Sequence, residues 1–314
     1  MADTPAIATD GLTKRFGRIA AVQGLHLTVE AGEVFGFLGL NGAGKTTTIR
    51  LLLDLLRPSS GRARILGFDC QTQGLDVRAR VGYQPGELAF YEDMTGDAVL
   101  RGLARLSGRP VDDAWRAALL DRFALTTADL RRRLRDYSTG MKRKLAIVQA
   151  FQADPVLLIL DEPTEGLDPL MQDAFYDLLA DVRRRGRTIF MSSHVLSEVE
   201  RVCDRIGLLR SGELALVSPV ADVRRLAPRR VRVRFAAPVS QPFDLPIGCV
   251  VERREPEEWM LAVTGALGAL VSRLAGLPVA DLRVDEPHLE DVVREYYKGM
   301  TAKDHGMTTE GSTE

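Results

Sequence analysis

Lysine is scarce in this chain. Lys14, Lys45, Lys142, Lys144, Lys298 and Lys303 are the whole complement, and the rest of the basic charge is arginine. The shortage reads as genomic base composition, not as a phosphate-binding design. Cysteine is equally thin. Cys70, Cys203 and Cys249 stand far apart and form no CxxC pair, which argues against a disulfide framework or a zinc site and for reduced thiols in a cytosolic protein. Long apolar runs are missing: the longest uncharged stretch, Trp259–Ser272, is interrupted by glycines and falls short of the roughly 20 residues of a spanning helix. Met1–Asp10 has neither a basic start nor an apolar core, so no secretory signal is read there. An excess of one charge is missing too, with 42 basic against 43 acidic residues and a net charge of -1. That balance excludes nucleic-acid binding by bulk charge. The chain is therefore expected not to cross a membrane itself, although it could dock on a protein that does.

What remains is ordinary globular material, 45% hydrophobic and 27% charged over 314 residues, enough for one large domain or two smaller ones. Short β-rich runs lie at Ile7–Leu12 and Ala21–Val29. A buried strand is expected over Glu33–Leu38, followed by a glycine-rich turn and a helix over Thr46–Leu56 that Arg57-Pro58-Ser59-Ser60-Gly61 stops. Arg62–Leu66 reads as a strand, and Ala98 to about Leu134 as helical. Val156–Leu160 is a continuous apolar run too short for a helix, which suits a central strand. Leu170–Arg185 is an amphipathic helix, Thr188–Ser192 a strand and Leu196–Cys203 a helix. This alternation predicts a parallel sheet covered by helices. After about Val217 the pattern changes. A strand at Val231–Phe235, a hairpin over Val250–Val263 around Glu255-Pro256-Glu257, a helix at Leu267–Ala275, a strand at Leu282–Val284 and a final helix at Leu289–Tyr297 suggest a small second α+β unit. The domains are thus expected at 1–217 and 218–300, with a disordered tail over 301–314.

Gly39-Leu40-Asn41-Gly42-Ala43-Gly44-Lys45-Thr46 fits the pattern GxxxxGKT between an expected strand and an expected helix, the context that a phosphate-binding turn requires. The glycines let successive N–H groups point into one hollow at a helix N-terminus. Lys45 would reach the β- and γ-phosphates, Thr46 would place its hydroxyl on Mg²⁺, and Thr47 continues the cradle. Val156–Leu160 runs into Asp161-Glu162. A carboxylate at a strand tip beside a phosphate turn suits a magnesium site, so Asp161 takes that role, directly or through water. Glu162 is the candidate general base. Adjacent carboxylates repel, and a bound Mg²⁺ offsets that. The plainer alternative is a polar strand end entering the turn at Pro163.

Those residues make a phosphate-loop NTPase. Tyr137-Ser138-Thr139-Gly140-Met141 narrows it, because it resembles the LSGGQ signature of ABC ATPases. Ser138 and Gly140 precede a helix, where a hydroxyl, N–H groups and a positive helix end meet an anion; a simple N-cap is the alternative. The resemblance implies that this segment closes on ATP held by a second copy, head to tail. Glu162-Pro163-Thr164-Glu165-Gly166-Leu167-Asp168-Pro169 resembles the segment leading into the D-loop, in which Asp168 would sense the partner site. Met191-Ser192-Ser193-His194 resembles the switch-histidine segment, with His194 on the γ-phosphate and the water; a structural histidine is the alternative. Phe16 lies where the family stacks an aromatic on adenine, with core packing the competing reading. One position departs from the family: aligning Val81-Gly82-Tyr83-Gln84-Pro85-Gly86-Glu87 puts Gly86 where a glutamine reads Mg²⁺ and the membrane partner, and Gln84 substitutes only if the backbone shifts.

The resemblance implies an α/β fold of the ABC ATPase type, with a parallel-sheet core, an antiparallel β subdomain and a helical subdomain, followed by a small C-terminal α+β domain. It implies ATP and Mg²⁺ as ligands, an integral membrane permease and a second ATPase copy as partners, no nucleic acid, and a place on the cytoplasmic face of a bacterial membrane. Asp285-Glu286-Pro287-His288-Leu289-Glu290-Asp291-Val292 resembles the E-P-x-L-E-x-V segment of exporter subunits whose permease is a separate polypeptide, a group in which drug, antibiotic and lipid-linked exporters are common. The permease would sit against Tyr83–Met94 and the helical segments C-terminal to it. Two alternatives belong to other classes. A soluble ABC ATPase acting on ribosomes or DNA would carry two ATPase units in one chain, or coiled-coil or zinc insertions, and neither is present. A regulator that binds ATP without turnover has only the missing glutamine in its favour.

Overall fold

The structure, a computed structural model, describes residues 4–226, 228–239 and 244–285. The chain divides into two compact units, Met1–Ser218 and Pro219–Glu314. The expected final helix at 289–297, most of the segment at 285–292 and the tail after 301 lie outside the described residues.

In the first unit β1 (Ile7–Phe16) and β2 (Ile19–Val29) form one long hairpin, followed by β3 (Val34–Leu38), α1 (Lys45–Leu52), β4 (Ser60–Ile65), β5 (Phe68–Asp69), α2 (Gly74–Arg78) and β6 (Val81–Gln84). Next come α3 (Gly96–Ser107), α4 (Asp113–Arg122), α5 (Thr127–Arg131) and α6 (Thr139–Phe151). The unit continues through β7 (Leu157–Asp161), α7 (Pro169–Arg184), β8 (Thr188–Ser193), α8 (Leu196–Val202), β9 (Arg205–Arg210) and β10 (Glu213–Pro219). The region expected to be helical from 98 to 134 is several short helices, cut where Gly108 takes a left-handed φ of 66° and where Thr126 starts α5 with a capping box. The helix after the phosphate turn ends at Leu52, before the Arg57-Pro58 stop, because Asp54 adopts a positive φ of 55°.

Six strands make the central sheet in the order β10-β9-β3-β8-β7-β6, with β9, β3, β8, β7 and β6 paired in parallel. A second, antiparallel sheet has the order β2-β1-β4-β5. Every residue of β3, β7 and β8 is buried, as a parallel strand covered on both faces requires. Alternation then divides their side chains. Val34, Leu158, Leu160, Ile189 and Met191 join the core shared with α6 and α7. Phe35, Phe37, Leu157, Ile159 and Phe190 join the core shared with α1 and the antiparallel sheet. Phe35 and Phe190 stack with ring centroids 5.8 Å apart.

In the second unit α9 (Val220–Leu226) precedes β11 (Arg229–Phe235), β12 (Cys249–Arg254), β13 (Glu258–Val263), α10 (Gly268–Leu274) and β14 (Val279–Asp285). The four strands form an antiparallel sheet in the order β12-β13-β11-β14. Val231, Val233 and Phe235 of β11 pack on Trp259, Leu261 and Val263 of β13 and on Leu270 and Leu274 of α10, while Arg230, Arg232 and Arg234 face outward.

Two glycines test this packing with opposite signs. A Cβ at Gly82 would lie 2.2 Å from the Ala150 carbonyl oxygen and 2.6 Å from Pro155, so Gly82→Ala should destabilise by about 1–3 kcal/mol. Gly102, inside α3, has nothing within 4 Å of such a Cβ, so Gly102→Ala should stabilise by about 0.5–1 kcal/mol. Thermal melts should show a lowered midpoint for the first and a raised one for the second.

Candidate functional site

Three strand tips meet at the C-terminal edge of the central sheet, where open α/β folds bind ligands. Leu38 of β3 lies beside Ser193 of β8, and Asp161 of β7 lies beside Ser192. The register therefore brings the turn at Gly39–Gly44, the pair Asp161-Glu162 and His194 side by side. The turn closes only because glycines occupy it. A Cβ at Gly39 would sit 2.6 Å from the Leu209 carbonyl oxygen and 2.9 Å from the Ala43 Cβ. Gly44, at φ +108°, lies where a Cβ would come within 2.2 Å of the Ala21 carbonyl oxygen. The Ala43 N–H donates to the Leu40 carbonyl at 3.0 Å, and the Gly44 carbonyl accepts from the Thr48 N–H at 2.9 Å. No side chain caps α1, which leaves the N–H groups of its first turn facing the hollow, an arrangement suited to an anion.

Lys45 opens α1 with its side chain only 6% exposed. Its Nζ donates to the Gly39 carbonyl at 2.6 Å and to the Leu40 carbonyl at 3.4 Å, and lies 3.2 Å from Glu162 Oε1. The other oxygen of Glu162 is 2.8 Å from His194 Nδ1. Glu162 thus bridges the ammonium of the phosphate turn and the imidazole of the β8 tip. Its backbone holds that place at a left-handed φ of 46°, a strain on the order of 1–3 kcal/mol. The Glu162 N–H donates to Ser192 Oγ at 3.1 Å, and that hydroxyl donates to Asp161 Oδ1 at 2.6 Å.

A cavity of about 610 Å³ lies over the turn. Asn41, Gly42, Gly44, Lys45, Thr46 and Thr47 line one side, with Asp161, Glu162, Tyr83 and Gly86 opposite. Asp161 is 1% exposed, and a Cβ at Gly86 would lie 3.3 Å from its Oδ2, so the backbone at 86 approaches the carboxylate with no side chain between them. The Thr46 hydroxyl and the Asp161 carboxylate give this cavity hard oxygen donors. Among the described residues no group of three His, Cys, Asp or Glu gathers as a metal cage. This donor set fits Mg²⁺, which is bound by one or two protein oxygens together with water and substrate phosphates. Burial, and then the charge of Asp161, push the Tyr83 phenol up to about 12, which leaves a neutral hydroxyl in the cavity wall.

The other residues singled out in the sequence lie elsewhere. Gln84 does not line the cavity. Its side chain is fully buried, Nε2 donates to the Pro163 carbonyl at 3.2 Å, and Oε1 has no hydrogen-bond partner. β6 ends at Gln84, so strand alternation does not carry its direction on to residue 86. Phe16 is 51% exposed at the end of β1, with the Lys14 ammonium 5.1 Å from its ring centroid; it is neither a core residue nor part of the cavity wall. Ser138 and Asp168 each accept from the N–H three residues on, at 3.2 and 3.0 Å, and cap α6 and α7. They and Gly140 stand outside the cavity of their own chain.

Arg143 has no signal in the sequence. It is 5% exposed in α6, donates to the Pro85 and Gly86 carbonyls at 3.3 and 3.0 Å, and lies 3.7 Å from Glu165. Burial holds its guanidinium below the ordinary arginine range. Nothing in the run Lys142-Arg143-Lys144 marks the middle cation as the buried one. Tyr83 and Ser192 stand inside the motif segments, but their contacts cross between strands and are not local in sequence.

Residues 22–165 match the protein family described as ABC transporter. Over 288 residues the chain is 35% identical to the daunorubicin/doxorubicin resistance ATP-binding protein DrrA of Streptomyces peucetius, covering 90% of this chain and 82% of that one. It is 42% identical over 200 residues to an ABC transporter ATP-binding protein of Nostoc sp., covering 63% of this chain and 59% of that longer relative. A solved structure of the ATP binding subunit of an ABC transporter superposes with a TM-score of 0.65 at 31% identity, over 71% of this chain and 92% of that one. With the phosphate turn, the Asp161-Glu162 strand tip and His194 assembled on one sheet edge, the chain belongs to the ABC transporter ATP-binding proteins.

Proposed function

We propose that this chain binds Mg-ATP over the turn at Gly39–Thr47, hydrolyses it, and thereby powers export through a separate membrane permease. The observation that carries the reading is the Glu162 carboxylate, held between Lys45 at 3.2 Å and His194 at 2.8 Å at the edge of the cavity. In this reading an arriving phosphate gives the Lys45 ammonium a better partner than the Gly39 carbonyl and Glu162, because hydrogen bonds between charged groups are the strong ones. That exchange frees one oxygen of Glu162 to accept a proton from water. The water oxygen bonds to the γ-phosphorus as the bridging oxygen leaves with ADP. His194 stays on the other oxygen, orienting the carboxylate and meeting the γ-phosphate. Thr46 and Asp161 would hold Mg²⁺, which would supply charge neutralisation at the phosphates.

The signature segment does not line the cavity of its own chain, which supports a site completed by a second copy placed head to tail. Ser138, Gly140 and Asp168 would act there, and Phe16 would meet the adenine. Export of a drug-like or antibiotic compound accords with the resistance role for which the Streptomyces relative is named. Among the described residues no helix is long and apolar enough to cross a membrane; in this reading a partner permease forms the transport path and this chain sits against it on the cytoplasmic face. The second unit is proposed to regulate the pair or stabilise it by contacts between copies.

Three measurements check this reading. Glu162→Gln should lower turnover by about 10²–10⁴-fold, the usual worth of a general base, while ATP binding persists; turnover near wild type would remove Glu162 from the role. Gentle solubilisation of native membranes should co-purify a polytopic membrane protein in near-stoichiometric amount, whereas co-purification of ribosomes or DNA would contradict the transport role. Deleting 218–314 should change activity or dimer stability but leave ATP binding, and a folded truncation unable to bind ATP would contradict that division of labour.

A further inference from the structure

Glu198 is a carboxylate that the hydrolysis scheme leaves unused. It lies in the first turn of α8, 8% exposed, with its oxygens turned away from solvent toward hydroxyl groups. Thr164 Oγ1 donates to Oε1 at 2.6 Å, and Ser193 Oγ donates to Oε2 at 2.9 Å. Burial, and then the nearby charge of Glu198, push the Tyr176 phenol of α7 above its ordinary range. Burying a carboxylate is costly unless its oxygens are satisfied, and the Thr164 and Ser193 hydroxyls satisfy one oxygen each.

The partners flank the proposed hydrolytic pair. Thr164 stands two residues after Glu162, in the turn that leads to Asp168. Ser193 immediately precedes His194, and the Val195 N–H donates back to Ser193 Oγ at 2.9 Å. His194 is therefore enclosed in a tight turn whose hydroxyl is anchored on Glu198. The two serines of the β8 tip divide the work by strand alternation. Ser192 faces Asp161 and the Glu162 N–H, while Ser193 faces Glu198 on the helix side.

We propose that Glu198 is a positioning residue for hydrolysis, whose carboxylate joins the Thr164 turn to the Ser193 turn and so keeps His194 on Glu162. The inference rests on the reading of Glu162 and His194 as the hydrolytic pair.

The test is a cycle in the full chain with Mg-ATP as substrate, using Glu198→Gln, Ser193→Ala and Thr164→Val, each alone and combined with His194→Ala. Glu198→Gln should lower kcat by about 10–100-fold, the cost of slight misplacement at a reacting centre. The KM for ATP and the affinity for a fluorescent ATP analogue should stay within about twofold. Because Glu198 acts through His194, the double variant should be no slower than His194→Ala alone. Should Glu198→Gln fail to fold, the smaller changes at Ser193 and Thr164 are judged by the same criteria. A kcat within about twofold of wild type, or losses that multiply in the double variant as independent sites do, would overturn the proposal. Wild-type turnover in His194→Ala would overturn the hydrolytic pair and this coupling together. A slow His194→Ala beside a wild-type Glu198→Gln would overturn the coupling alone.

Discussion

A buried ammonium cannot be left without partners, and Lys45 is buried. Removing a charge from water costs far more than one hydrogen bond returns, so the site must supply a carboxylate and carbonyl oxygens around Nζ. The turn supplies Gly39 and Leu40 carbonyls, and the tip of β7 supplies Glu162. Each of these is a group that the phosphates of ATP can replace. The pairing that compensates the buried ammonium is thus also the one that a nucleotide would exchange in the proposed scheme, and the group released by that exchange is the proposed base.

Much of the first unit follows from holding that carboxylate in reach. Glu162 accepts a left-handed backbone, and the Ser192 hydroxyl supports it from the next strand. Ser192 can do so only while β7 and β8 keep their register, which the buried alternation of Leu157–Leu160 against Ile189, Phe190 and Met191 enforces. A slip of one residue would turn each of those side chains to the opposite core. On the far side Gly86 brings bare backbone to Asp161, and Arg143 holds the carbonyls of Pro85 and Gly86 from α6. α6 is therefore tied to the loop that carries Gly86.

Features encoded in a few consecutive residues are legible in the sequence. The phosphate turn, the apolar strand ending in Asp161-Glu162 and the strand before His194 each occupy a short window with a distinctive pattern, and the structure places all three on one edge. The alternation of Val231, Val233 and Phe235 with arginines likewise announces a half-covered strand. Longer patterns are less secure. An Ala-, Leu- and Arg-rich region from 98 to 134 looks continuous because helix propensity says little about where a left-handed Gly108 or a Thr126 cap will cut it. Alternation holds only inside a strand, and β6 stops at Gln84, so the pattern says nothing of residue 86. Arg143 and Glu198 carry no local signal: each has a partner far off in sequence, Gly86 57 residues from Arg143 and Thr164 34 residues from Glu198, and only the fold reveals which cation and which acid are buried.

The most direct test of the account is a crystal structure of the chain with Mg²⁺ and a non-hydrolysable ATP analogue. Lys45 Nζ should leave Glu162 Oε1 and the Gly39 carbonyl for phosphate oxygens, while the contact between Glu162 and His194 Nδ1 persists. Nucleotide bound with Lys45 still paired to Glu162, or seated away from the turn at Gly39–Thr47, would contradict the claim that this buried ion pair is the one ATP exchanges.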